Sequence, residues 1–447
     1  MMVTRLQLLR VLILAATVVV GVAPARASWQ DLYGFGARSM ALGGAVTASV
    51  DDYSAVYYNP AGLMLGRDFS AAIARVELFN NLKLNGRSFN TSSADVSGTL
   101  GGLQLRQRWF DRLHLGFGTG FFVPDQGVIK AEEISPNEPR AVLLHNRSQR
   151  VAINFAGAVE VFPNFYFGSG FSLFADLTGK GVDIDASLLT GKAEADVEIK
   201  IKQKIAPFFG AIWQPMDRLR VGASYRGEQD INLDIPTKAN LGVDPGAPPP
   251  AGDLGIIATL GVSDSFFWTP LEVSGGVAVA VTDNLTLMAD LTWYQWSHFP
   301  ALSPEVILEA SGVLAALLEI PGTTPPARVR MKDTLVPRFG VEYWWLDLPY
   351  IDLALRGGYA FFDSPVKSGD GNVAFLDSDR HLVTAGVEIL LDDPWDLFLK
   401  PAAFNFSFQA IFYEPRTEHL RSPTGPIGDV RLSGQQFNFG AELILEF

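Results

Sequence analysis

The stretch Gly434-Gln435-Gln436-Phe437-Asn438-Phe439-Gly440-Ala441-Glu442-Leu443-Ile444-Leu445-Glu446-Phe447 carries the reading of the fold. Phe437, Phe439, Ala441, Leu443, Leu445 and Phe447 fall on one side of a two-residue repeat. Gln436, Asn438, Gly440, Glu442 and Glu446 fall on the other, and Ile444 alone is off pattern. Successive side chains of a strand point to opposite faces, so this is a strand with one apolar face and one polar face, ending on an aromatic ring.

At the other terminus, Arg5 and Arg10 flank an apolar run from Val11 to Ala23, and Ala25-Arg26-Ala27 offers a small-x-small cleavage site. Residues 1–27 therefore read as a secretory signal peptide. The run is too short for a membrane helix, which needs roughly 20 apolar residues. Loss of Arg5, Arg10 and Arg26 moves the formal charge from −13 to about −16, which argues against nucleic acid as a partner. The chain has 0 cysteines, so an exported protein of this length is held by burial or by a continuous sheet rather than by disulfides. Hydrophobic residues make up 48%, yet past residue 27 they form no apolar stretch long enough to span a bilayer. Their distribution, rather than their total, is informative.

The terminal alternation recurs along the chain. Leu219, Val221, Ala223 and Tyr225 interleave with Arg218, Arg220, Gly222 and Ser224; Phe404, Phe406, Phe408, Ala410 and Phe412 interleave with Asn405, Ser407 and Gln409. Segments of about ten residues with this repeat are the signature of a transmembrane β-barrel, apolar toward lipid and polar toward the lumen. The pattern predicts about fourteen strands, over 68–79, 99–109, 112–124, 147–162, 165–179, 196–213, 218–235, 267–281, 285–298, 333–346, 350–362, 380–391, 402–414 and 434–447. Short turns such as Pro163-Asn164 and Thr282-Asp283-Asn284 alternate with long loops, as periplasmic turns and outer loops do in bacterial barrels. Trp109, Trp213, Trp344, Trp345 and Trp395 lie beside the short turns, and Trp268, Trp293 and Trp296 near the other strand ends. Two interfacial aromatic girdles are expected from that placement. The fold class is thus an all-β membrane protein, a 14-stranded antiparallel transmembrane β-barrel, multi-pass in the bacterial outer membrane.

Residues 28–67 do not alternate. They contain Gly36-Ala37-Arg38-Ser39-Met40-Ala41-Leu42-Gly43-Gly44-Ala45, then Asp51-Asp52, then Tyr58-Asn59-Pro60-Ala61-Gly62-Leu63. In these motifs the chain resembles the FadL/TodX family of outer-membrane transporters of long-chain fatty acids and other hydrophobic compounds. The resemblance covers residues 28–67 in motif detail and 68–447 in architecture. It implies an N-terminal helical hatch that plugs the lumen, a barrel over 68–447, monomers, and Phe447 as a signal to the barrel-assembly machinery. Independently of it, a barrel of this size needs a plug if it is not to be an open pore. The motif Asn59-Pro60-Ala61 fits a well-formed turn, since Pro60 fixes φ and Asn59 can bond locally, and it fits a gate equally well.

In the third strand Gly116, Gly118 and Gly120 form a lumenal glycine stripe, with Phe121 and Pro124 beyond it. Glycine in a strand marks a bend or a close backbone approach. The stripe therefore either makes room for the plug or, as the resemblance implies, marks a lateral exit toward the outer leaflet. Two outer segments are apolar: residues 254–268, with Ile256, Ile257, Phe266 and Phe267, and residues 304–320, read as a short helix with Leu314, Leu317 and Leu318. Exposed apolar patches mark binding sites, so these segments are expected either to capture a greasy ligand from the lipopolysaccharide-rich surface or to pack on each other. A carboxylate head group would need a lumenal cation, and Arg106, Arg108, Lys204, Arg218, Arg220, Arg338 and Arg356 are expected to face inward without one standing out. Acids such as Glu342, Glu388, Asp51 and Asp52 are the expected partners of most of them.

Five histidines show no metal spacing, and no nucleophile elbow or phosphate loop is present, so no catalytic residue, metal or cofactor is expected. His114 reads as partnerless, and the cluster Asp370, Asp377 and Asp379 reads as a solvated acidic loop in preference to a divalent-ion site. The function expected is uptake of a hydrophobic small molecule, a fatty acid or hydrocarbon, in contact with outer-membrane lipid. The alternatives are a general diffusion porin and an uptake channel for hydrocarbons or aromatic compounds.

Overall fold

The computed structural model describes residues 33–88, 97–109, 113–125, 129–130, 139–141, 149–187, 193–242, 256–299, 305–311, 330–348, 350–367, 375–391, 400–422 and 425–447. Fourteen strands close into an antiparallel barrel. They are β1 (Phe69–Leu84), β2 (Ser97–Trp109), β3 (Leu113–Pro124), β4 (Ala152–Phe162), β5 (Phe165–Ser187), β6 (Ala193–Met216) and β7 (Leu219–Arg226). The second half comprises β8 (Glu272–Ala280), β9 (Leu285–Tyr294), β10 (Thr334–Leu348), β11 (Ile351–Phe362), β12 (Arg380–Leu391), β13 (Ala402–Ser422) and β14 (Gly425–Glu446). Each pairs with its successor. β14 returns to β1 in an unbroken register from Ser70 opposite Glu446 to Leu84 opposite Leu432. The Phe447 amide donates to the Phe69 carbonyl at 3.0 Å, and the two rings lie 5.1 Å apart. Closure leaves no edge, so the wall's backbone groups are satisfied in lipid.

Hydrophobicity is turned outward, as a lipid solvent requires. Phe79, Phe117, Phe339, Phe406 and Phe439 stand exposed on the outer face, whereas Gln409, Gln436 and Asn438 are buried on the inner one. Turn chemistry follows the local sequence: Asn164 takes a positive φ of 65° between β4 and β5, a conformation asparagine tolerates.

Residues 33–66 lie inside the barrel. Helix α1 (Ala37–Ala41), helix α2 (Ala55–Tyr58) and a 3-10 turn (Pro60–Met64) pack Phe35, Leu42, Val46, Val50, Tyr53, Val56 and Leu63 into the core. The wall gives way to them mainly through glycine. A Cβ at Gly168 would meet Ala61 N at 2.5 Å, one at Gly222 Thr47 O at 2.3 Å, and one at Gly358 Leu42 C at 2.4 Å.

Several expectations are corrected at the outer end. The predicted seventh and eighth strands are each interrupted. β7 stops at Arg226 before Gln229–Gly242, and Ile256–Thr269 stops before β8, where Pro270 supplies no ladder donor. The segment read as an apolar loop, with Ile256, Ile257, Phe266 and Phe267, is the strand Ile256–Thr269, paired with Gln229–Gly242 and with Glu305–Ser311. The last of these was expected to begin a helix; β-branched Val306 and Ile307 favour the ladder instead. Leu314, Leu317 and Leu318 lie outside the described residues. β13 and β14 run well past their predicted outer limits, as a long hairpin over Ala402–Ser422 and Gly425–Glu446. Trp213 and Trp345 are exposed beside short turns, as a girdle requires, but Trp268 and Trp296 are buried against each other and Phe299, with Trp268 to Phe299 at 5.3 Å.

Candidate functional site

The inner segment is clipped to the wall by its own motif. Asn59 is fully buried and caps the 3-10 turn, its Oδ1 accepting from Ala61 N at 3.1 Å. Its Nδ2 reaches three carbonyls: Thr47 at 2.7 Å, Ala211 of β6 at 3.1 Å and Ala223 of β7 at 3.3 Å. Pro60 begins the turn, where a missing amide donor costs nothing. The residues Asn59, Pro60 and Ala61 thus form both a turn and a tether to two strands.

A run of charges fastens the segment on the opposite side. Arg38 donates through Nε and Nη2 to the two carboxylate oxygens of Glu342 on β10, each at 2.9 Å, and Nη1 lies 3.2 Å from Asp51. Glu342 also accepts from Arg356 Nε at 2.6 Å, and Arg356 reaches Glu388 on β12 and Asn405 on β13. Arg67, at the end of the segment, lies 3.6 Å from both Glu388 and Glu446. The expected pairing of lumenal cations with Glu342 and Glu388 holds for Arg356. Asp51 pairs with Arg38 of its own segment, a residue that composition alone did not single out. Ala37 N and Tyr53 OH both donate to Glu442 Oε1 on β14. Burial, then repulsion from Asp51, pushes the Asp52 carboxyl up, and burial with the nearby Glu442 pushes the Tyr53 phenol up.

Toward the outer strand ends the segment leaves a small cavity of about 60 Å³, walled by Tyr33, Tyr57, Tyr58, Tyr294, Phe362 and Arg338. A second space of about 40 Å³ shares Tyr57, Tyr294 and Phe362 and adds Arg226, Trp296 and Arg380. The guanidiniums are not equivalent. Arg226 pairs with Glu272 at 2.8 Å, donates to the Tyr57 carbonyl and stacks 4.2 Å over the Tyr57 ring. Arg380 lies 4.9 Å over the Phe362 ring. Arg338 is buried, and its donors go to two hydroxyls, Thr292 at 2.7 Å and Tyr294 at 2.8 Å. Among the described residues it makes no ion pair within 4.0 Å. Tyr57, Tyr294 and Phe362 escaped the sequence reading because their convergence needs three separate elements; the pair Tyr57-Tyr58 beside the Asn59 motif was the available signal.

The glycine stripe of β3 is filled. A Cβ at Gly116 would meet Leu63 at 3.0 Å, one at Gly118 the Leu63 Cδ2 at 2.6 Å, and one at Gly120 the Val56 side chain at 2.8 Å and Phe35 at 2.9 Å. Phe121 and Pro124 continue the strand, and the ladder is regular on both sides, from Gly98–Pro124 to Trp109–Leu113 and from Leu115–Val159 to Phe122–Ala152. The structure therefore shows the stripe as the berth of the inner segment, within an intact wall. The backbones of Ile256, Ile257, Phe266 and Phe267 lie in the outer hairpin, in the strand whose last residue, Thr269, borders the second space. His114 has a partner after all, Glu160 at 2.8 Å on β4, and Asp377 and Asp379 accept from Ser364 rather than standing free.

A closed barrel with an apolar outer face and an occupied lumen defines an outer-membrane channel protein. The sequence model of the outer membrane protein transport family (OMPP1/FadL/TodX) matches residues 16–394, and the chain belongs to that family, whose members carry hydrophobic compounds across the outer membrane. Among solved structures it is similar to a Pseudomonas aeruginosa FadL homologue, at 15% identity and TM-score 0.57 over 96% of this chain and 99% of that one. It is similar also to the CymD monoaromatic hydrocarbon channel, at 15% identity and TM-score 0.56 over 93% and 98%. The toluene transporter TodX of P. putida follows at 17% identity and TM-score 0.55, over 93% and 99%. At such identities these likenesses establish the fold. No curated protein matches the chain.

Proposed function

We propose that residues 28–67 are a hatch and that the barrel takes up an amphipathic hydrophobic molecule, such as a long-chain fatty acid, whose anionic head is held by Arg338. The observation carrying this reading is a buried guanidinium that lines a cavity and, among the described residues, donates to the hydroxyls of Thr292 and Tyr294 and makes no ion pair within 4.0 Å. A carboxylate there gains a charge-assisted bidentate contact, and the rings of Tyr57, Tyr58, Tyr294 and Phe362 offer the adjoining apolar surface. The cavity, about 60 Å³, is far below the several hundred Å³ of an ordinary ligand pocket, so the tail is accommodated when the hatch shifts. The seam between hatch and wall joins apolar packing to ion pairs and hydrogen bonds, and these polar contacts can be exchanged for water when the hatch shifts. The onward route we propose follows β3: withdrawal of Leu63, Val56 and Phe35 turns the stripe Gly116, Gly118, Gly120 into a smooth lumenal groove leading toward Phe121, Pro124 and the outer leaflet.

The test compares an acid with a neutral hydrocarbon. Arg338→Leu should weaken binding of a radiolabelled long-chain fatty acid about 10- to 100-fold, the loss of one charged hydrogen-bonded contact, and leave toluene uptake within about twofold. Equal loss of both, or of neither, removes Arg338 from the head-group role. A general diffusion porin is distinguished by conductance in planar bilayers, since it would pass ions freely with the hatch in place.

A further inference from the structure

Strand β1 carries charge on its outer face. Ala74, Val76 and Leu78 are buried inward, so Ile73, Arg75, Glu77 and Phe79 face out, and Ile73 and Phe79 are 39% and 50% exposed. At about 3.3 Å per residue and a tilt near 40°, Arg75 sits ~15 Å above Phe69, well inside an apolar band about 25 Å tall. Arg75 donates through both Nη atoms to the Asp125 carboxylate just past β3, and Ser97 Oγ donates to the same group at 2.5 Å. Glu77 is held only at long range, 3.8 Å from Arg75 Nε. One guanidinium and two carboxylates leave a surplus negative charge, and it resides on Glu77.

Alongside lies a groove of about 550 Å³ on the outer wall of β12, β13 and β14. Ala385, Val387, Phe406, Phe408, Phe439 and Ala441 line it, and Arg75 and Glu77 stand on its β1 side. The hollow exists because Ala385 and Ala441 are small where their neighbours are aromatic; Ala441 sits directly between Arg75 and Phe406 in the ladder.

We propose that this is a binding site for one membrane lipid, with an acyl chain in the groove and a hydrogen-bond donor of the same molecule on Glu77. Ionisable side chains at membrane depth are costly, about 2–4 kcal/mol for an outward Arg at the midplane, and mark sites where something polar compensates them. The apolar lining selects hydrocarbon, and the surrounding phase is lipid. Arg75 is already saturated by Asp125, so the free chemistry is that of a carboxylate, which selects a hydroxyl, amide or ammonium donor and disfavours a bare phosphate. The site lies outside the wall and does not depend on what passes through the lumen.

The test is native mass spectrometry of the full-length protein extracted in mild detergent. The wild type should carry one lipid per chain. Ala441→Phe, which fills the groove, and Glu77→Leu, which removes the acceptor, should each lower its occupancy about tenfold, with folding verified by heat-modifiable gel mobility. In vesicles containing phosphatidylethanolamine with a photoactivatable acyl chain, the wild type should crosslink at Phe406, Phe439 or Ala441. Unchanged occupancy in folded variants, crosslinks confined elsewhere, or a wild-type dimer mass lost in both variants would overturn the proposal, the last assigning the patch to a contact between copies. If neither variant folds, the crosslink map alone decides.

Discussion

A guanidinium at position 38 enters a space from which water is largely excluded, and it is stable there because Glu342 offers both oxygens and Asp51 lies within ion-pair distance. Removing one partner of a buried pair costs about 3–5 kcal/mol, because the other charge is left behind. Glu342 keeps Arg356, so Arg38→Met should fall at the lower end, about 3 kcal/mol, and the loss should appear as unseating of the inner segment. Bilayer conductance should rise with a normally assembled barrel. Conductance identical to wild type would show that the pair does not hold the segment. Asn59→Ala strips three carbonyls of their donor and the turn of its cap, and about 1–3 kcal/mol of seating should go with it, read the same way. Asp52 adds a pH dependence of fixed sign. Its carboxyl is raised by burial in the seated state, so the proton binds more tightly there than in the free segment. Its contribution is therefore complete below the ordinary carboxylate value and fades as pH rises through the raised one. Asp52→Asn should flatten that part of the conductance–pH curve.

At the level of elements, β3 shows what a glycine stripe with two readings in sequence packs against in the structure. Gly118 faces Leu63 and Val56 with no room for a methyl group, whereas a Cβ on Gly275 of β8 would meet nothing within 4 Å. Gly118→Leu should therefore displace the inner segment and raise conductance, and Gly275→Ala should be silent in both assembly and uptake. A silent Gly118→Leu would separate the stripe from the seating of residues 33–66 altogether. The strands themselves were legible because period-two alternation is a local property, and thirteen-residue β2 or twelve-residue β3 fall within a few residues of their expected limits. The outer hairpins were not. Residues 256–269 are apolar without a lipid boundary to stop them, and only the partners Gln229–Gly242 and Glu305–Ser311 make that run a strand rather than a loop.

For the whole molecule, the wall is a closed sheet, and the lumen is filled by residues 33–66. A barrel of fourteen strands without that filling would leave a water channel. Deleting 33–66 should yield a heat-modifiable barrel with a large steady conductance and no saturable ligand binding; a barrel that stays closed would place the block elsewhere. Of the candidate site, the sequence offered the right ingredients without their arrangement. Arg338 stood among seven indistinguishable lumenal cations until Thr292, Tyr294 and Phe362 were seen around it and the carboxylates were seen to be taken by Arg38, Arg356 and Arg226.

Alternation from Gly434 to Phe447 determined that the chain ends as a strand with a lipid face, and its repetition determined the number of strands and the membrane they cross. Both follow from side-chain geometry along a single strand. The three-dimensional structure decided which polar face meets which: that Gln436 and Glu442 meet Tyr33 and Tyr53 rather than open water, that the β3 glycines receive Leu63, and that Arg338 meets the hydroxyls of Thr292 and Tyr294. Contacts of that kind join residues hundreds of positions apart, and only closure of the sheet around its own N-terminal segment brings them together.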